Sequence, residues 1–100
     1  AYGILKDVFN AFLGEKPNKQ ILNKINEICK KHYKSSVYPH HIHVHHYGEH
    51  TEMTLHIKLD KSLSLEDAHN ITSMIEDDIR TELEIEATIH TEPRIGKIPI

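Results

Sequence analysis

The chain has no tryptophan, one cysteine, four glycines, four prolines and only 6% aromatic residues in its 100 positions. With Cys29 alone, no disulfide can form within the chain, and its place in a helical apolar stripe suits a buried thiol in a reducing compartment. Apolar runs are only a few residues long, so none spans a bilayer, and no basic-then-apolar leader resembles a secretory signal. As given, the chain reads as soluble. An excess of one charge is also missing: 12 basic residues are interspersed with 15 acidic ones for a net charge of −3. That leaves no basic face to track a phosphate backbone, which argues against nucleic acid as a partner. A hydrophobic content of 38% in 100 residues supports one small core and therefore one domain.

What the chain has in abundance is histidine. Seven of its ten histidines fall between residues 40 and 56, in the middle of the sequence, where a purification tag would not sit. Neutral imidazole is the commonest metal ligand, and a pair of strands can present several imidazoles on one surface. Protonating all ten adds ten positive charges and carries the formal total from −3 to +7, so a pH-responsive surface is the rival to a metal site.

Residues 2–13 place Leu5, Val8, Phe9 and Phe12 at helical spacing before Gly14, the pattern of a short amphipathic lead. Pro17 opens a helix whose stripe is Ile21, Leu22, Ile25, Ile28 and Cys29; His32 stands at its end, and Lys30, Lys31 and Lys34 suit the helix C-terminus. After Pro39, Ile42 and Val44 alternate with His41, His43 and His45 as a half-buried strand, and residues 47–50 form the turn. Met53, Leu55, Ile57 and Leu59 alternate with Thr54, His56 and Lys58 in the second strand of a hairpin. Ser64 followed by Asp67 caps a second helix, residues 65–83, with Leu65, Ala68, Ile71, Ile75, Ile79 and Leu83 on its stripe and the acidic residues 76–78 facing solvent. Residues 84–90 alternate as a third strand that Pro93 ends, and a tail follows.

The order helix, strand, strand, helix, strand predicts a split strand-helix-strand unit, with strand one in the middle, antiparallel to the outer two, and both helices on one face. The other face stays open and is a natural surface for dimerisation. Parity then sorts the ligands. Leu55, Ile57, Ile85, Ala87 and Ile89 point at the helices, so His56, His90 and Glu92 share the open face. His41, His43 and His45 have the same parity and serve as secondary metal ligands or as polar interface. Strict alternation puts His40 on the core face with Ile42 and Val44, which counts against it. His69, early in the second helix, reads equally as a partly buried, hydrogen-bonded histidine.

Four segments together resemble the cytoplasmic C-terminal domain of the cation diffusion facilitator transporters, which export zinc and related divalent ions. They are His-His-Ile-His-Val at residues 40–44, Leu-His-Ile at 55–57, Ser-Leu-Glu-Asp-Ala-His at 64–69 and Ile-His-Thr-Glu-Pro at 89–93. The resemblance covers nearly the whole chain. It implies an α+β, ferredoxin-like (metallochaperone-like) αββαβ fold, a three-stranded mixed sheet with two helices on one face. It also implies a metal set of His40, His56, His69, His90 and Glu92 for zinc or another divalent transition metal, up to two ions per protomer. That set overrides the parity objection to His40 and raises His69. Glu92 stands where the best-known pattern has the shorter aspartate, and His41 where many relatives carry aspartate.

The resemblance further implies a non-enzymatic regulatory domain that works as a homodimer on the cytoplasmic side of the cell membrane, joined to the transmembrane domain of an integral membrane protein. Residues 1–15 then lead in from the last membrane helix, 16–93 form the metal-binding dimerisation domain, and 94–100 are the tail. A free-standing metal carrier of the same fold and a metal-free dimerisation module are the alternatives. A metal-dependent hydrolase is disfavoured, because no His-Glu-x-x-His motif is present.

Overall fold

Asn18 opens the first helix, α1 (Lys19–His32), by accepting a hydrogen bond at its side-chain oxygen from the Ile21 N–H at 2.9 Å. Capping satisfies one of the amide donors that a helix start leaves without a partner. The computed structural model describes residues 16–95, so the lead expected at residues 2–13 and the last five residues lie outside the described part. Among the described residues α1 is followed by β1 (His40–Tyr47), β2 (His50–Asp60), α2 (Leu65–Leu83) and β3 (Glu86–Arg94). In α2 the Ser64 hydroxyl accepts from the Asp67 N–H at 3.0 Å, and Glu84 closes the helix in the left-handed region at φ 56°.

Gly48 and Glu49 form a two-residue loop between the paired Tyr47 and His50. Gly48 has φ +63°, which the first position of such a loop needs in order to match the twist of the strands. The sheet order is β1-β2-β3, with β1 antiparallel and β3 parallel to β2. The central strand is therefore the second and not the first, and one of its neighbours is parallel. The physical reason is that α2 carries the chain back to the starting end of β2, so β3 runs the same way as β2. β2 also has the greatest need of cover: Met53, Leu55, Ile57 and Leu59 are all buried. They pack with Ile25 and Ile28 of α1 and Ile75 and Ile79 of α2 in one core.

Three further expectations change. β3 continues through Pro93 to Arg94, which an edge strand permits because the missing N–H faces away from the ladder. Arg94 is buried and its guanidinium donates to the Ser36 carbonyl, so it belongs to the fold rather than to a tail. Leu65 is not core but 87% exposed, at the first position of α2. The acidic residues of α2 divide their work. Glu76 accepts from the Ile89 N–H at 3.1 Å and covers part of the β3 edge, while Asp78 takes His32 at 2.5 Å and Lys31 at 2.9 Å. Only Asp77 and its partner Arg80 fit the solvent-facing expectation. The His32 hydrogen bond, followed by that of Lys31, holds the Asp78 carboxyl below its ordinary value.

Candidate metal centre

Residues that pair across a ladder lie on the same face of the sheet, so the register assigns the open face row by row. His40 pairs with His56, and His56 with His90, which sets three histidines in a transverse row, one from each strand. The next rows are His43 with Thr54 and His45 with Glu52. Between His40 and His43 the register shifts: three steps on β1 answer two on β2. This is a β-bulge, and the extra residue is His41, whose backbone lies in the left-handed region at φ 49°. The bulge reverses the parity of everything before it. His40, which strict alternation assigns to the core face, thereby joins His56 on the open face.

Tyr38 is also left-handed at φ 47°, so the two residues with this unfavourable backbone on β1 and its approach flank His40 on either side. Strain of this kind persists only where surrounding contacts hold it. Here the Lys58 N–H donates to the Val37 carbonyl at 2.6 Å, fastening the approach segment to β2, and Val37 is buried. The Tyr38 carbonyl in turn accepts from His40 Nδ1 at 2.7 Å, which directs Nε2 of that ring toward its neighbours.

The ligand atoms of His40, His41 and His56 all lie within 4.8 Å of one another. Their ring centroids are 5.1 to 5.4 Å apart. Glu92 spans two of them: Oε1 accepts from His40 Nε2 at 3.1 Å and Oε2 from His56 Nδ1 at 3.0 Å. The hydrogen bond from His56, with the nearby charge of His40, holds the Glu92 carboxyl below its ordinary value and keeps it an anion. His90 stacks on His56 with centroids 4.8 Å apart and lies on the exposed rim. His69, on the first turns of α2, is exposed and lines a groove with Leu59, Thr91, Glu92 and Pro93. Neither His90 nor His69 enters the 4.8 Å group.

The donor set fits a divalent transition metal. Three imidazoles and a carboxylate are the ligands that zinc and its neighbours take, and each ring is partly open to solvent for entry. His41, which alternation did not set apart from His43 and His45, is the residue that the structure brings into the group. Its signal was present in the adjacent pair His40-His41 ahead of Ile42, a polar residue at an inward position that marks a break in the alternation. Cys29 takes no part, because burial pushes its thiol up to about 11 and keeps it protonated.

Residues 17–94 match the family model described as the cytoplasmic domain of cation efflux proteins. The chain belongs to this family. Its members are transporter cytoplasmic domains and not enzymes. Among solved structures, the zinc form of CzrB, described as a zinc transporter, superposes with a TM-score of 0.65 at 18% identity, covering 79% of this chain and 91% of that one. The metal-bound C-terminal domain of the CzcD transporter from Thermotoga maritima gives 0.61 at 23% identity, over 77% and 94%. The cytosolic domain of a cation diffusion facilitator family protein gives 0.60 at 25% identity, over 77% and 96%. No curated protein sequence matches the chain significantly. As a cation efflux cytoplasmic domain, the chain has no helix among its described residues long and apolar enough to cross a membrane.

Proposed function

We propose that this cation efflux domain senses a zinc-like divalent cation and, as a homodimer on the cytoplasmic face of the cell membrane, regulates the transmembrane domain of its own full-length protein. The observation that carries the reading is the convergence of His40, His41 and His56 within 4.8 Å, with Glu92 hydrogen-bonded to two of them. His40, His56 and Glu92 hold the ion, joined by His41 from the bulge. His90 extends the set from beside His56, and His69 from across the groove that Glu92 also lines. Up to two ions per protomer are accommodated by six such ligands. The zinc form of CzrB and the metal-bound CzcD domain share this fold, which supports the assignment.

Residues 1–15 lead in from the last membrane helix in this reading, and residues 16–93 are the dimerising unit. A dimer that binds the cation better than the monomer does gains population when cytosolic metal rises, and a coupling of about 1–3 kcal/mol is enough for a regulatory effect. Isothermal titration with zinc at neutral pH tests the site: a saturable tight phase that is lost in the His40→Ala/His56→Ala double variant is expected. No tight phase, or one unchanged in that variant, overturns the reading. Sedimentation velocity with zinc and with chelator tests the dimer, and identical distributions would separate self-association from metal.

A further inference from the structure

The hairpin end of the open face is not used by the centre described above, yet it carries its own potential ligands. His45 pairs with Glu52 across the ladder and Tyr47 with His50, so His45, Glu52 and His50 share one side of the sheet. Cross-strand partners keep their Cβ atoms about 4.5–5.5 Å apart, within the reach of two side chains closing on one ion. His50 Nε2 and Glu52 Oε2 already stand 3.9 Å apart. His45 Nδ1 is buried and has no hydrogen-bond partner, although the ring itself is only half-buried and lies parallel to that of Tyr47 at 6.2 Å. A buried ring nitrogen without a partner is uncommon, and it is satisfied when the ring turns toward a ligand. The side chains of His50 and Glu52 are about half exposed, at 54% and 49%, which leaves room for water to complete a coordination shell. His43, paired with Thr54, stands between this cluster and the bulge.

We propose that His45, His50 and Glu52, with His43 one pleat away, form a second and weaker site for a divalent transition-metal ion. Two imidazoles and one carboxylate select the same class of ion as the first centre. Affinity is lower because the side chains converge only on binding, whereas the bulge brings the first set together beforehand. The site shares no residue with the centre proposed above and rests on that reading only for the class of ion.

Nickel(II) titration of the full chain at pH 7.5 tests it. Two phases are expected, the second at least about 10-fold weaker. The triple variant His45→Ala, His50→Ala, Glu52→Gln should lose the second phase and keep the first, while His40→Ala/His56→Ala should lose the first and keep the second. Paramagnetic broadening by the second equivalent should fall on the His45 and His50 ring protons. The conservative variant His45→Asn, checked for an unchanged thermal melt, guards against a folding artefact and should weaken the second phase alone. A single phase in the parent chain, a second phase that survives the triple variant, or broadening elsewhere overturns the proposal.

Discussion

The two ends of β1 have nearly the same composition and opposite organisation. At the hairpin end, regular pairing spreads His43 and His45 along the strand, where same-face neighbours lie about 6.5–7 Å apart. At the other end one extra residue, His41, breaks the register, returns His40 to the open face and gathers three imidazoles within 4.8 Å. A histidine count therefore does not by itself bring ligands together. A defect in the ladder does, because a bulge lets two successive residues of one strand approach the same cross-strand partner.

The comparison breaks most severely if the two ends differ in packing rather than in chemistry. Met53 lies under the hairpin end and Ile57 under the bulged end, and both are fully buried. Met53→Ala and Ile57→Ala should each cost about 2–5 kcal/mol in urea denaturation of the metal-free chain. A cost below 1 kcal/mol at either end would show an unequal foundation. Next in size, His40→Ala with His56→Ala should lower zinc affinity by more than about 100-fold in calorimetry, whereas His43→Ala should leave the tight phase within about 3-fold. Equal losses from both would dissolve the distinction between the ends.

The bulge itself is sharpened by His41→Gly. Glycine accepts φ 49° without the Cβ clash, so the metal-free domain should gain up to about 1 kcal/mol, while zinc affinity falls about 10-fold for the lost imidazole. A variant that gains stability and binds zinc as before would make His41 a spacer and not a ligand. The smallest effect separates the sheet from the helices by pH. Zinc binding requires neutral imidazole, so protons compete with the ion and the affinity measured by calorimetry should fall as pH is lowered.

Asp78 behaves differently, because its carboxyl is held below the ordinary value by His32 and then Lys31. A depressed carboxyl contributes stability that is complete above its unfolded pKa of about 3.9 and is lost as pH falls through the lower folded value. Stability of the metal-free chain should therefore decline below about pH 4, and Asp78→Asn should flatten that decline by up to about 1 kcal/mol. Urea midpoints at pH 5 and pH 3 measure it, and parallel declines in both chains would remove Asp78 from the account.

Much of this was legible in one dimension. The Ser64 and Asp67 pair placed α2 at Leu65–Leu83, because capping is a local contact between residues three apart. The alternation of Met53, Leu55, Ile57 and Leu59 gave β2 its inner face, and the same parity put His56, His90 and Glu92 on the open one. The strand order was not legible, since a hairpin fixes that β1 and β2 pair but not which of them β3 joins. Leu65 fits the helical period, yet it is exposed, because the period alone does not say which positions of a stripe are covered by another element.

The sequence by itself determined the elements and the histidine-bearing face, because these rest on local periodicity and short-range contacts; the family entered through the resemblance of its motifs and not through periodicity. Tertiary structure alone decided that β2 is central, that Glu76 and Asp78 work across elements, and that His41 converges with His40 and His56. Pairing register is a relation between strands. A single bulge, held where the Val37 carbonyl accepts from the Lys58 N–H of β2 and the Tyr38 carbonyl accepts from His40, reverses the facing of a residue that its own neighbours in sequence would have buried.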